Sequence, residues 1–115
     1  MTNETRHTPA PWLRDGAFVY ALGSHGHNRF SAALQRGEPE AGEERVPPAE
    51  LEANARLIAA APEMEALLRD LRPLANRMAS GNKPRPQDVD AAYSLQDRID
   101  ALFRALSSID QEKAP

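Results

Sequence analysis

Apolar residues recur at steps of three and four in two long stretches of the chain. Met64, Leu67, Leu71, Leu74 and Met78 fall on one helical face, and Ala92, Leu95, Ile99, Leu102, Leu106 and Ile109 fall on another. Between them "SGNKPRP" (80–86) interrupts any helix. Pro86 suits the first turn of the second helix, where Asp88 and Asp90 complement the helix dipole. Matching seams and a short connection predict an antiparallel helical hairpin with arms 49–79 and 87–109.

The first arm contains "NARLIAAAPEME" (54–65), a strong helix former with a proline inside it. A helical Pro62 has no N–H for the Ile58 carbonyl, and its ring crowds that carbonyl, at a cost of about 3 kcal/mol mid-helix. The arm is therefore predicted to break or kink sharply at Pro62. Residues 49–61 then pack on strands and 62–79 on the second arm. Pro73 raises the same constraint further along.

The N-terminal part reads differently. Two short apolar runs, "AFVYAL" (17–22) and "RFSAALQ" (29–35), flank the Gly-rich "GSHGHN", which predicts a β-hairpin over 12–35. Residues 1–11 are polar and proline-punctuated, hence extended. Residues 36–48, "RGEPEAGEERVPP", form an acidic Pro/Gly loop, and 110–115 a tail. The expected architecture is one α+β domain: a small N-terminal β-hairpin or antiparallel sheet packed on helices, then the long helical hairpin. Because a two-stranded hairpin is marginal alone, its edges are expected to pair with another element or subunit, which points to a homo-oligomer.

Composition narrows the function. In 115 residues, 41% are hydrophobic but only 5% aromatic, and alanine supplies much of the apolar content. That favours thin, close-packed helix contacts and leaves part of the burial to a partner or to further copies. A net charge of −3 with no visible basic excess argues against direct nucleic-acid binding. Cysteine is absent, which excludes disulfides, thiolate zinc sites and a cysteine nucleophile. The first 25 residues hold no apolar signal core, and nowhere do about 18 apolar residues run together. The expectation is a soluble protein with no membrane partner.

Candidate chemistry is sparse. His25-Gly26-His27, with His7 as a third member, is the most ligand-like feature, but two histidines in a Gly-rich turn fall short of a metal site. No metal and no cofactor is expected. Glu43, Glu44, Asp88, Asp90, Asp97 and Asp100 lie where an acidic loop or solvated helix face places them. No nucleophile and base are paired by spacing, so no catalytic residue is assigned and the chain is not expected to be an enzyme. Trp12, Arg14, Tyr20, His25, His27 and Arg29 gather around the hairpin and offer aromatic faces with cationic donors, groups that can hold a nucleotide. The competing reading is ordinary hairpin surface, with Trp12, Pro9 and Pro11 packing on the helices. Asn54 shares a helical face with Leu51, Leu57, Ile58 and Ala61, either as a buried amide capping backbone or as an amide reaching a ligand. Arg56 lies on the other side, usually the place of a solvated charge, and stands with Asn54 among the candidate ligand- or partner-binding residues.

"HTPAPW" (7–12) and "ANARLIAAAPEMEALL" (53–68) together resemble a set of small phage and prophage accessory proteins with a His-Thr-Pro-x-Pro-Trp opening and an Ala-Asn-Ala-Arg-Leu-Ile-Ala-Ala-Ala-Pro-Glu helix block. Ala10 stands where those proteins carry glycine, and the continuation after Pro62 is altered in register. The resemblance spans residues 7–68 and implies an accessory protein acting in the cytoplasm of an infected bacterial host. It also implies a counter-defence role. Three functions are expected on this basis: a non-enzymatic inhibitor that masks a bacterial defence protein, an oligomeric sponge for a nucleotide second messenger, or a regulatory or structural phage oligomer.

Overall fold

A computed structural model describes residues 6–39 and 44–107. The start of the extended segment, the middle of the acidic loop with Glu43, and the end of the second arm with Ile109 and the tail lie outside the described residues. Three strands come first: β1 (Leu13–Asp15), β2 (Phe18–Leu22) and β3 (Asn28–Ala33). Three helices come next: α1 (Pro48–Ala59), α2 (Ala61–Ala79) and α3 (Pro86–Leu106). The architecture is α+β. The chain forms two compact units, residues 1–62 and 63–115.

In the first unit the strands make an antiparallel sheet in the order β1-β2-β3. β1 extends the expected hairpin by one short strand. Asp15 pairs with Phe18 across a two-residue turn in which Gly16 takes a positive φ of 63°, a conformation other residues rarely adopt. Along β2 the pattern alternates. Val19 and Ala21 are fully buried, while Phe18 and Leu22 are 39% and 50% exposed. Helix α1 packs across β1 and β2, and Ala55 is also fully buried. Buried alanines on both elements permit close approach, so this core is thin but dense.

The face that α1 buries differs from the expected one. Ala55 and Arg56 are buried, with Leu51, Glu52 and Ala59 half-buried, whereas Asn54 is exposed and Leu57 and Ile58 are 48% and 37% exposed. Periodicity counts the large apolar residues, but the sheet accepts the small ones. Between sheet and helix, the Arg36 Nε donates to the Val46 carbonyl (2.6 Å) and closes the ends of the loop.

Helix α1 ends where Ala60 N–H donates to the Arg56 carbonyl (3.0 Å). Pro62 lies in the first turn of α2, a position that does not need its missing N–H. The arm expected over 49–79 is thus two helices. Pro73, by contrast, sits inside α2, which continues through it.

In the second unit α2 and α3 run antiparallel. Arg77 pairs with Asp88 (3.1 Å) and Asp70 with Arg98 (2.8 Å), so partners advance along one helix as they recede along the other. Leu67 and Leu95 are buried, and Met64, Leu71, Leu74, Ile99, Leu102 and Leu106 are half-buried. The predicted seams are the packed ones over most of their length. They open at the loop end, where Met78 and Ala92 are exposed.

Two measurements check this packing. Ala55→Leu forces extra methylenes under the sheet and is expected to cost about 1–3 kcal/mol in urea unfolding followed by Trp12 fluorescence. Pro62→Ala restores the missing N–H, and Cα secondary shifts should then run helical without a break from 57 to 64. A break that survives the substitution would show that the proline is not its cause.

Candidate functional site

The opening motif forms a local clip. The Trp12 indole N–H donates to the Thr8 carbonyl (2.9 Å), and His7 Nδ1 donates to the same oxygen (2.8 Å). The His7 ring stands edge-on to Trp12 with centroids 6.0 Å apart, and Trp12 packs against Phe30 in a tilted contact, centroids 4.9 Å apart. The Ala10–Pro11 peptide bond is cis. This clip seats Thr8 beside the turn between β2 and β3.

That turn is tightly closed. Gly23 N–H donates to the His27 carbonyl (2.7 Å), Gly26 N–H donates to the Gly23 carbonyl (3.0 Å), and Gly26 takes a φ of 80°. Leu22 pairs with Asn28 and Ala21 with Phe30, so Arg29 is the extra residue of a β-bulge. Bulges re-aim side chains. Thr8, Ser24, His25, His27, Asn28 and Arg29 line a polar pocket of about 510 Å³. Among the described residues, none that lines it is a carboxylate.

The fold therefore divides the residues singled out in the sequence. His25, His27 and Arg29 share the pocket, and Trp12 supports its Thr8 wall. Arg14 is at the opposite end of β2, where its Nη1 donates to the Gly16 carbonyl (3.0 Å). Tyr20 pairs with Leu13, and its ring lies 5.8 Å from Phe18 on the sheet face opposite Val19 and Ala21. On α1, Asn54 is exposed rather than set among buried apolar neighbours. Arg56 is no solvated charge: it keeps only 8% of its surface exposed. Ser24 and Asn28 carry no signal of their own in the sequence, since short polar residues in a turn are commonplace, and Thr8 stands out only as part of the opening motif. Among the described residues no three His, Asp or Glu side chains come together as a metal site.

A second group lies at the loop end of the helical hairpin. Asp88 departs from the solvated carboxylate expected at its position, being only 6% exposed. It accepts from Arg85 Nη2 (2.8 Å), Arg85 Nε (3.0 Å), Arg85 backbone N–H (2.9 Å) and Arg77 Nε (3.1 Å). The Arg85 hydrogen bonds, then that of Arg77, hold its carboxyl well below the usual aspartate range against the opposing effect of desolvation. In return Asp88 holds the Arg85 guanidinium above its ordinary value. The sequence carries a signal for this role: Asp88 is the third residue after the N-cap Arg85, where a carboxylate reaches back to the N-cap amide.

Beside Asp88 the open seam forms a groove of about 410 Å³ lined by Leu74, Met78, Pro84, Val89, Ala92 and Tyr93, with Tyr93 71% exposed. Its surface is apolar apart from Asp88 and Gln96 at its edge. No helix among the described residues is long and apolar enough to cross a membrane.

The described residues thus form a small sheet with a clipped polar turn and a helical hairpin with an apolar groove. The chain belongs to the family of Salmonella phage P22 protein Y8K6, whose model matches residues 1–109. No curated protein and no solved structure matches it.

Asp88 gives a pH test. Its folded-state pKa lies below the unfolded value of about 3.9, so its contribution to stability is complete above that value and is lost as pH falls toward the folded one. Thermal melting of the wild type should decline steeply below about pH 4. Asp88→Asn should melt on the order of 5 °C lower at pH 7 and show a shallower acid decline. Parallel acid limbs would remove Asp88 as their source.

Proposed function

We propose that this phage protein acts without catalysis, by docking on a bacterial immune protein and masking its surface. The observation that supports this reading is the apolar groove at the loop end of the α2–α3 hairpin, rimmed by the exposed ring of Tyr93. Exposed aromatic anchors beside an apolar cleft are typical of binding hot spots. The same chain leaves Leu57, Ile58, Phe18 and Leu22 substantially exposed, and apolar surface of this kind marks contact sites. β1 and β3 are the edges of the sheet, and pairing of edges between copies would make the active form a homo-oligomer.

The nucleotide-sponge alternative draws on stacking by Trp12 and Tyr20 beside cationic donors. Trp12 already packs against Phe30, the partner of Ala21, and Tyr20 lies on the other face of the sheet. Docking is therefore preferred.

Phage plating on defence-carrying bacteria tests the proposal. Expression of the chain should raise plating efficiency against at least one defence system. Tyr93→Ala combined with Val89→Ala should reduce that rise by tenfold or more without lowering the melting temperature. A variant that protects as well as the wild type would overturn the groove as the docking surface.

A further inference from the structure

The polar pocket at the β2–β3 turn shares no residue with the docking groove, and docking at that groove makes no use of it. We infer that the pocket is a binding site for the phosphomonoester group of a small ligand, formed by Arg29, His25, His27, Ser24 and Thr8.

Three observations carry the inference. The first is charge. From residue 6 to residue 36 the chain holds four arginines and all three of its histidines against one carboxylate, Asp15, although the whole protein has net charge −3. Asp15 belongs to β1 and the opposite turn, so the described residues that line the concavity are basic or neutral. Side chains of this kind attract an anion and repel no part of it.

The second is construction. The bulge removes Arg29 from strand pairing, and Gly26 supplies the positive φ that lets the chain reverse between two histidines lining one concavity. A guanidinium fork, imidazole N–H groups and short hydroxyls make up a donor set suited to phosphate oxygens. The far wall is not left to chance, because the Trp12 indole holds the Thr8 carbonyl.

The third concerns the composition of the lining. Among the described residues, no aromatic side chain lines the pocket beyond the two imidazoles. The phosphate is therefore the recognised group, and a base or other substituent would extend outward with little discrimination. A volume of about 510 Å³ accommodates the phosphate and part of what it is attached to.

Titration of the full-length protein, followed by amide chemical shifts and calorimetry, tests this. The probes are inorganic phosphate, adenosine 5′-monophosphate, adenosine, and a single-stranded oligonucleotide without a terminal phosphate. Phosphate and the monophosphate should move the amides of Thr8 and of 23–29, and adenosine should move none of them. Arg29→Ala should weaken monophosphate binding by roughly tenfold. Lys83→Ala, which removes one positive charge in the other unit, should weaken it by less than twofold. If Arg29→Ala disturbs the sheet, seen in Trp12 fluorescence, His27→Ala is read instead and should reduce binding several-fold.

Equal binding of adenosine and its monophosphate would overturn phosphate recognition. Equal losses from Arg29→Ala and Lys83→Ala would reduce the site to diffuse charge. Binding of the oligonucleotide more tightly than the monophosphate would replace the small ligand by a nucleic-acid backbone. Absence of any shift in 23–29 at excess phosphate would overturn the site outright.

Discussion

Pro62 has no amide hydrogen, and the helical ladder stops beside it, between Ala59 and Ala61. The two halves of the helical region are thereby free to obey different packing rules. Before the break, α1 buries alanines against a sheet; after it, α2 buries leucines in a seam with α3. In one unbroken helix, at 100° per residue, Ala55 and Leu67 would point about 120° apart. A change of phase of that size needs an interruption or a wide apolar belt. The proline supplies the interruption without leaving a buried N–H unpaired. The division of the chain into compact units falls at the same place, between Pro62 and Glu63.

The opening motif has a comparable economy. His7, Thr8 and Trp12 are tied to one another through a single carbonyl and one ring contact, and Trp12 is tied to the sheet through Phe30. An extended segment of this kind has no backbone ladder of its own. An indole N–H must find an acceptor when it is partly buried, and here the acceptor lies four residues back in the same segment. The opening motif thus has a structural task, and the pocket beside it gains a defined wall.

In the second unit a single carboxylate links three structural requirements. Asp88 caps the first turn of α3, neutralises Arg85, and reaches across to Arg77 on α2. Burial of a carboxylate is costly unless it is paired and hydrogen-bonded, and Asp88 meets that condition several times over. The exposed Asp70–Arg98 pair is different: it marks the register of the hairpin, but exposed pairs contribute only about 0–1 kcal/mol. Ordering the loop end around Asp88 also sets the edge of the apolar groove.

Local chemistry that acts between near neighbours was legible in the residues alone. The 3–4 spacing of Met64 through Met78 and Leu95 through Leu106 is a property of helical geometry, so the hairpin and its buried seam could be read directly. The helix break at a proline and the reversal of the chain at "GSHGHN" arise from backbone restrictions that operate over a few residues. Tertiary structure decided what depends on a partner distant in sequence. Only the sheet could determine that α1 buries Ala55 and Arg56 and exposes Asn54, because close approach selects small side chains over large apolar ones. Only the strand register could separate Trp12 from Tyr20 and Arg14 from His25 and His27, since one residue of offset moves a side chain to the opposite face. The same register sets Arg29 aside in a bulge and brings it beside Thr8, a residue that no spacing rule connects to it.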